Sequence, residues 1–320
     1  MKIDTVLATF TQVLTFFSLT SMSQKVEAAP LRVVTSTTDL AWAAKEIGGD
    51  KVEVESLLRG TEDPHFVDAR PDFISKVSRA DVVCIVGLDL EVGWIPKVLS
   101  KSGRREVQPG GNGFCEVGRK VEVLEKPTGV ALDRSMGDVH PSGNPHFWLS
   151  PAAFAAASIE IKETLMRVDL PNAKFYEARY TELSKKLLTL QEQLRAKLAS
   201  NGVIGEKARI FEYHREFAYF ANAYGLKSEG SLEEKPGVAP SAGRLVRVAA
   251  DVKIRGVKIV LASETAPRKL LSRFEELSGL RVIAVPVSIH REGAPSTYMA
   301  LQEQLVERVI EAHIGVKVEK

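Results

Sequence analysis

Cysteine is scarce in this chain: two residues, Cys84 and Cys115, in 320. Neither belongs to a CxxC pair, which excludes a cysteine-based zinc ribbon or dithiol redox centre. Cys84 lies inside the apolar run ADVVCIVG and reads as a small buried hydrophobe, although in an oxidising compartment it could pair with Cys115. An excess of one charge is also missing. Lys and Arg number 43 and Asp and Glu 41, a formal net charge of +2. With no Lys/Arg run there is no concentrated basic face, so nucleic acid is not an expected partner. Beyond the N-terminal segment no run of about 20 apolar residues occurs, so nothing is expected to span a membrane. Histidine is sparse too, with six residues and neither HExxH nor HxH spacing.

What is present is ordinary in bulk: 44% hydrophobic and 26% charged residues, enough to bury a large core in two domains. The first residues have the form of an export signal. Lys2 supplies the positive charge, residues 6–19 are largely apolar, and Val26-Glu27-Ala28 offers small residues for cleavage, with a mature start near Ala29. Asp4 and interrupting Thr and Gln residues weaken the pattern. No Cys follows it, so no lipid anchor is expected. Residues 1–29 are thus read as a signal peptide.

Further along, strand-like and helix-like stretches alternate, which implies parallel sheets with βαβ crossovers. Residues 31–35 read as a strand, 36–39 as capping chemistry, and 40–47 as a helix ending at Gly48-Gly49. KVEVESLL, ADVVCIVG, ARIFEY, VKIVLAS and LRVIAVPVS read as further strands. PDFISKVSRA, REFAYFANAYG, SAGRLVRVAADVKIRG, PRKLLSRFEELSG and PSTYMALQEQLVERVIEAHIG read as helices. Between 103 and 143 Gly, Pro and charged residues dominate, with one strand candidate at VEVLEK. From 171 to 200 the leucines at 183, 187, 190, 194 and 198 recur at helical spacing and mark one long amphipathic helix. The organisation is an N-terminal α/β lobe (30–170), a rigid linking helix (171–201) and a C-terminal α/β lobe (202–320). Ligands of open α/β sheets bind beyond the carboxyl ends of the strands, which places a site in the cleft between the lobes.

Three histidines occupy defined settings: His65 in GTEDPHFVDARP, His146 in GNPHFWLSP and His214 in FEYHREFAYF. A neutral imidazole is the commonest ligand for a transition metal, and three leave the ion its full charge, which suits zinc. Pro64 and Pro145 stiffen the backbone before two of them, and Phe66, Phe147 and Trp148 are placed to exclude water. A single loop His is more often solvated, and one beside aromatics is more often core packing. It is the placement of His65 and His214 at strand exits that favours ligation. His140, six residues before His146, is a rival ligand or a hydrogen-bonding loop residue. His290 has no defined setting, and His313 suits a helix C-terminus as a cation.

These residues also carry a resemblance. Asp63-Pro64-His65, Arg70-Pro71-Asp72, ADVVCIVGLDLE, NPHFWLSP, YHREFAYFANAYGL and PGVAPS resemble the zinc- and manganese-binding solute receptors of bacterial ABC transporters, over nearly the whole chain after residue 31. The resemblance implies a periplasmic, exported, monomeric receptor that holds one ion, Zn2+ or alternatively Mn2+ or Fe(II), between its lobes and passes it to an ABC membrane permease. His65, His146 and His214 fall on the family's ligand positions, and a third His rather than Glu resembles the zinc branch. The usual fourth ligand, an Asp before Pro in the segment after the last strand, is Val285 here. That leaves water, Glu264, His290 or, less distinctly, Glu233 and Glu234 for the fourth corner. The family's long His-rich loop is missing. Other readings are a metal-dependent adhesin on the same scaffold and, from the open corner, a zinc hydrolase. No enzyme activity is expected.

Overall fold

The computed structural model describes residues 29–127, 137–205 and 208–315. Of the expected signal peptide, residues 1–28 lie outside the described residues. Each lobe carries a four-stranded, all-parallel sheet, and the strand orders have the same form. The first is β2 (Val52–Ser56), β1 (Leu31–Thr35), β3 (Val82–Ile85), β4 (Phe114–Glu116), and the second is β6 (Lys227–Ser231), β5 (Arg209–Glu212), β7 (Ile259–Ser263), β8 (Val282–Val285). Parallel neighbours require crossovers, supplied in the first lobe by α1 (Thr38–Gly48), α2 (Pro71–Val77) and α3 (Ile95–Ser102). In the second they are α6 (Ala218–Tyr224), α7 (Ala242–Ile254) and α8 (Arg268–Ser278). The α1 helix starts where Thr37 accepts the Leu40 N–H and stops at Gly49, whose φ of 56° ends the helical run.

Two strands escape the hydropathy pattern. VEVLEK is not a strand; the edge of the first sheet is instead the three-residue β4, pinned to β3 with Cys115 opposite Cys84. Both cysteines are buried thiols, and burial pushes Cys84 well above the ordinary thiol range. The other is β6, whose exposed, polar residues mark an edge strand. The long helix α5 (Ala173–Ser200) lies as its leucine spacing predicts and is about 42 Å long. It is paired with a helix the spacing analysis did not separate, α4 (Pro151–Val168), whose Ser150 cap and Pro at its first position are ordinary start signals. Gln191 on α5 accepts from the Ser150 hydroxyl at 3.3 Å and the Ala152 N–H at 3.0 Å, so the link between the lobes is a helix pair.

Alternation along the strands explains how the lobes join. Val33, Val82 and Cys84 point one way, Val34 and Val83 the other; Ile210, Ile259, Leu261 and Val285 point one way, Phe211, Val260 and Ala262 the other. The outer faces carry private cores with α2 and α3 or with α7 and α8. The inner faces of both sheets enter one continuous core with α1, α4, α5, α6 and the final helix α9 (Tyr298–Ile314). At the base of the cleft the segment after β8 is bonded across to the first lobe. Thr38 Oγ1 donates to Ile289 O at 2.5 Å, Ile289 N to Asp39 Oδ1 at 3.1 Å, Arg291 N to Arg59 O at 2.8 Å, and Trp148 Nε1 to Val287 O at 2.7 Å.

Asp39 in this clamp is fully buried, and burial raises its carboxyl from 3.8 to about 7, against the opposing hydrogen bonds of Ile289 and Ser288. A carboxyl with a higher pKa folded than unfolded takes up a proton on folding. Stability is therefore lost as pH rises from 3.8 towards 7 and is flat above that interval. Asp39→Asn removes the ionisation, so its stability relative to wild type should improve by roughly 3 kcal/mol between the acid and alkaline ends of the interval. Denaturant unfolding of both proteins at the two ends checks this; a pH-independent difference would contradict it.

Candidate metal centre

The clustered histidines are presented by three short segments, each shaped by its own sequence. After β2 the chain turns through Asp63-Pro64-His65, where Asp63 Oδ1 accepts both the backbone N–H of His65 (3.0 Å) and its ring Nδ1–H (2.7 Å). His146 precedes a tight turn at Phe147–Leu149 whose apolar side chains are fully buried, and Asn144 Oδ1 accepts its backbone N–H and ring Nδ1–H, both at 3.0 Å. The Asn144 amide donates in turn to Arg215 O and Glu125 Oε2, both at 2.9 Å, which fixes which end of the amide faces the ring. His214 follows β5, and its Nδ1 meets Glu233 Oε2 at 2.8 Å. The same carboxylate oxygen accepts the Gly237 N–H at 2.8 Å.

These bonds decide the tautomers. With Nδ1–H committed to an oxygen on all three rings, Nε2 is the nitrogen that offers a lone pair whenever the ring is neutral. One donor nitrogen from each ring lies within 4.8 Å of the others. The ring centroids stand 5.2 Å (His65–His146), 5.3 Å (His65–His214) and 5.6 Å (His146–His214) apart, close to an equilateral triangle. They line a cavity of about 240 Å³ between the lobes, together with Asp138, Glu216 and Trp148. His146 is 2% exposed, and the Trp148 ring packs on it at 5.3 Å.

Charge around the three rings is uneven. Burial, reinforced by the neighbouring rings of His65, His214 and His140, drives His146 well below 6.5, so it is neutral. His214 goes the other way. Burial opposes its charge, yet the hydrogen bond to Glu233 and the carboxylates of Glu216 and Asp138 prevail and raise it to about 9. Glu216 is held up at about 8 by burial, with Asp63 and Glu212 adding to the rise and His214 opposing it. His214 and Glu216 therefore hold protons where a cation would sit.

The other sequence candidates fall in several places. His140 is beside the site: its ring is 5.2 Å from His65 and 6.2 Å from His146. Donor atoms of His65, Asp138 and His140 also lie within 4.8 Å of one another. Asp138 was not singled out from sequence; its signal was the D-x-H spacing of GDVH. Glu264 lines the cavity, but its Oε1 contacts His290 Nε2 at 2.5 Å, and neither belongs to a donor cluster among the described residues. Glu233 is buried behind His214 rather than solvated. Val285 lies in the shared core, fully buried. Phe147 and Trp148 are buried as expected, whereas Phe66 is 65% exposed at the cavity edge. His313 stands in the last turn of α9. No helix among the described residues is long and apolar enough to cross a membrane.

The chain matches the model of the ZnuA family, described as zinc-uptake complex component A, periplasmic, over residues 33–312. It is 27% identical over 321 residues to the manganese ABC transporter substrate-binding lipoprotein PsaA of Streptococcus pneumoniae, covering 97% of this chain and 98% of the relative. Its fold is similar to that of the periplasmic zinc-binding protein TroA of Treponema pallidum (TM-score 0.73, 20% identity, 89% of this chain and 99% of that one). It is equally similar to FpvC of Pseudomonas aeruginosa in complex with Mn2+ (TM-score 0.73, 22% identity, 90% and 100%).

Glu233 orients the His214 ring and raises its basicity, so Glu233→Gln, which keeps an acceptor but removes the charge, should weaken Zn(II) binding by about tenfold. Competition titration against a chelator checks this; unchanged affinity would mean that Glu233 only shapes the loop.

Proposed function

The chain belongs to the ZnuA family of zinc-uptake components, and from that premise we propose that it captures Zn(II) outside the cytoplasm and delivers it to an ABC import permease, with His65, His146 and His214 as ligands. Capture of a metal ion for such a transporter is the role of the family as a whole; the choice of zinc and the ligand residues are the finer reading. The observation that carries it is the convergence of three ring nitrogens whose opposite nitrogens are all committed to acceptors. Zinc suits imidazole ligands in a four-coordinate tetrahedral site, three corners of which these rings would fill, whereas Mn(II) favours oxygen donors and higher coordination. The family is one of binding proteins, and its function requires the ion to be held and released, not activated.

A manganese reading is favoured by one observation, the carboxylates of Asp138 and Glu216 at the same cavity. Elemental analysis of protein purified without added metal, followed by competition between Zn(II) and Mn(II), separates the two. Retained zinc and displacement of manganese support the proposal; preferential retention of manganese overturns it. On the ligands, His65→Ala, His146→Ala and His214→Ala should each lower Zn(II) affinity by more than about 100-fold, while His313→Ala should not. Three single variants of wild-type affinity would place the site elsewhere.

Proton competition supplies a separate test. Only an unprotonated ring can bind, and His214 in the empty protein holds its proton up to about 9. Binding must expel that proton, so affinity should climb steadily from about pH 6 to about pH 8 with proton release into the buffer. Affinity that levels off at the ordinary imidazole range would show that His214 binds without proton loss.

A further inference from the structure

We propose that Tyr219, on helix α6 of the second lobe, is a positioning residue of the metal site: its hydroxyl fixes Asn144 and, through it, the His146 ring. The inference rests on His146 being a ligand, as read above, and adds the group that aims it.

The His146 ring is oriented by Asn144 Oδ1, which accepts its backbone N–H and its Nδ1–H, both at 3.0 Å. The ring can be no steadier than Asn144 itself. Within the first lobe Asn144 is held by one backbone bond, from its N–H to Leu124 O at 2.9 Å. In a two-bond pair of the kind antiparallel strands make, the Leu124 N–H would return to the Asn144 carbonyl. Here a phenol hydroxyl is inserted in that place. Tyr219 Oη accepts the Leu124 N–H at 3.1 Å and donates to Asn144 O at 3.1 Å. Glu122 O, at 3.5 Å, is the more distant acceptor for that single proton. Tyr219 is 2% exposed and Asn144 6%, so the Asn144 carbonyl has little water to turn to if the hydroxyl is lost.

A second hold on Asn144 also comes from across the cleft, where its amide donates to Arg215 O at 2.9 Å. Arg215 and Tyr219 lie on the turn and helix that follow His214. That turn is braced internally: Glu212 Oε2 accepts the Phe217 N–H at 2.9 Å, and the Glu216 N–H donates to His214 O at 2.9 Å. One braced stretch, residues 212–219, thus presents His214 directly and His146 at second hand. A phenylalanine at 219 would fill the same space and leave the Leu124 N–H and the Asn144 carbonyl unbridged. Asn144 could then tilt, and the ring it carries would tilt with it.

The test measures Zn(II) affinity by chelator competition, and the ligand-field spectrum of bound Co(II), on the full-length protein. Tyr219→Phe should lower Zn(II) affinity by about tenfold and alter the Co(II) spectrum. Tyr176→Phe is the control. It removes the hydroxyl of an equally buried tyrosine, bonded to Asp169 Oδ2 at 2.6 Å at the turn between α4 and α5. It should keep the wild-type spectrum and an affinity within about twofold of wild type. In an Asn144→Ala background, itself a weaker binder, Tyr219→Phe should cost less than about twofold further, because the route to the ring is already cut. Wild-type affinity and spectrum in Tyr219→Phe overturn the proposal. So does an undiminished loss in the Asn144→Ala background, or an equal loss in Tyr176→Phe. If His146→Ala collapses binding while Tyr219→Phe does not weaken it, the positioning role fails and the three-histidine reading stands. If His146→Ala binds normally, both fail.

Discussion

Everything at the cleft depends on holding three imidazole rings face to face, each anchored from behind by its Nδ1–H. Burial keeps His146 neutral, whereas on His214 the Glu233 hydrogen bond and the Glu216 carboxylate outweigh burial and hold a proton. Asp63, Asn144 and Glu233 accept the three Nδ1 protons, and each acceptor is itself tied into backbone. An imidazole in water rotates and exchanges its proton freely; one with its Nδ1–H fixed to an oxygen has one orientation and one available donor atom. The cost of aligning the rings is met during folding rather than when the ion arrives, and this is the source of affinity in a preorganised site.

That anchoring needs the segments themselves to stay put, and the fold supplies this through packing rather than through the cleft. His65 hangs from the exit of one sheet and His214 from the exit of the other, so the distance between them is set by the spacing of the sheets. The inner faces of both meet the α4–α5 pair in one unbroken apolar core, and the clamp around Ile289 and Arg291 ties the second lobe to the start of α1. The lobes also meet at the cleft itself, where the Asp138 N–H donates to Pro236 O at 2.6 Å.

How legible this was in the sequence differed by feature. The long helix was plain because five leucines repeat at helical spacing, and the central strands because an apolar run bounded by turn residues has few other readings. The edge strands β4 and β6 were not: an edge buries one side at most and has little pattern to show, and β6 is polar along most of its length. Helix α4 was passed over although its Ser-Pro start is ordinary. At the site, the three histidines stood out through local settings, DPH and NPHFW, that imply a fixed backbone. Asp138 did not, because a carboxylate in a Gly-rich loop is nearly always solvated and only the approach of the other lobe buries it. Glu264 and His290 each have a sensible position, but their side chains contact one another and join no donor cluster among the described residues.

The continuous core has a thermodynamic consequence of its own. Two-lobed chains whose halves each own a core can lose one half and keep the other, giving staged unfolding. Here Ile210 and Ile259 of one sheet and Val33 and Val82 of the other share a single apolar mass with Leu187 and Leu194. The helices over the first inner face, α1 and α4, pack on α5, and α5 packs in turn on α6 and α9 of the second lobe. The molecule is two lobes in shape and one cooperative unit in energy. An ion bound at its cleft therefore stabilises all of it, and the free energy of capture is spread over structure far from the ligands.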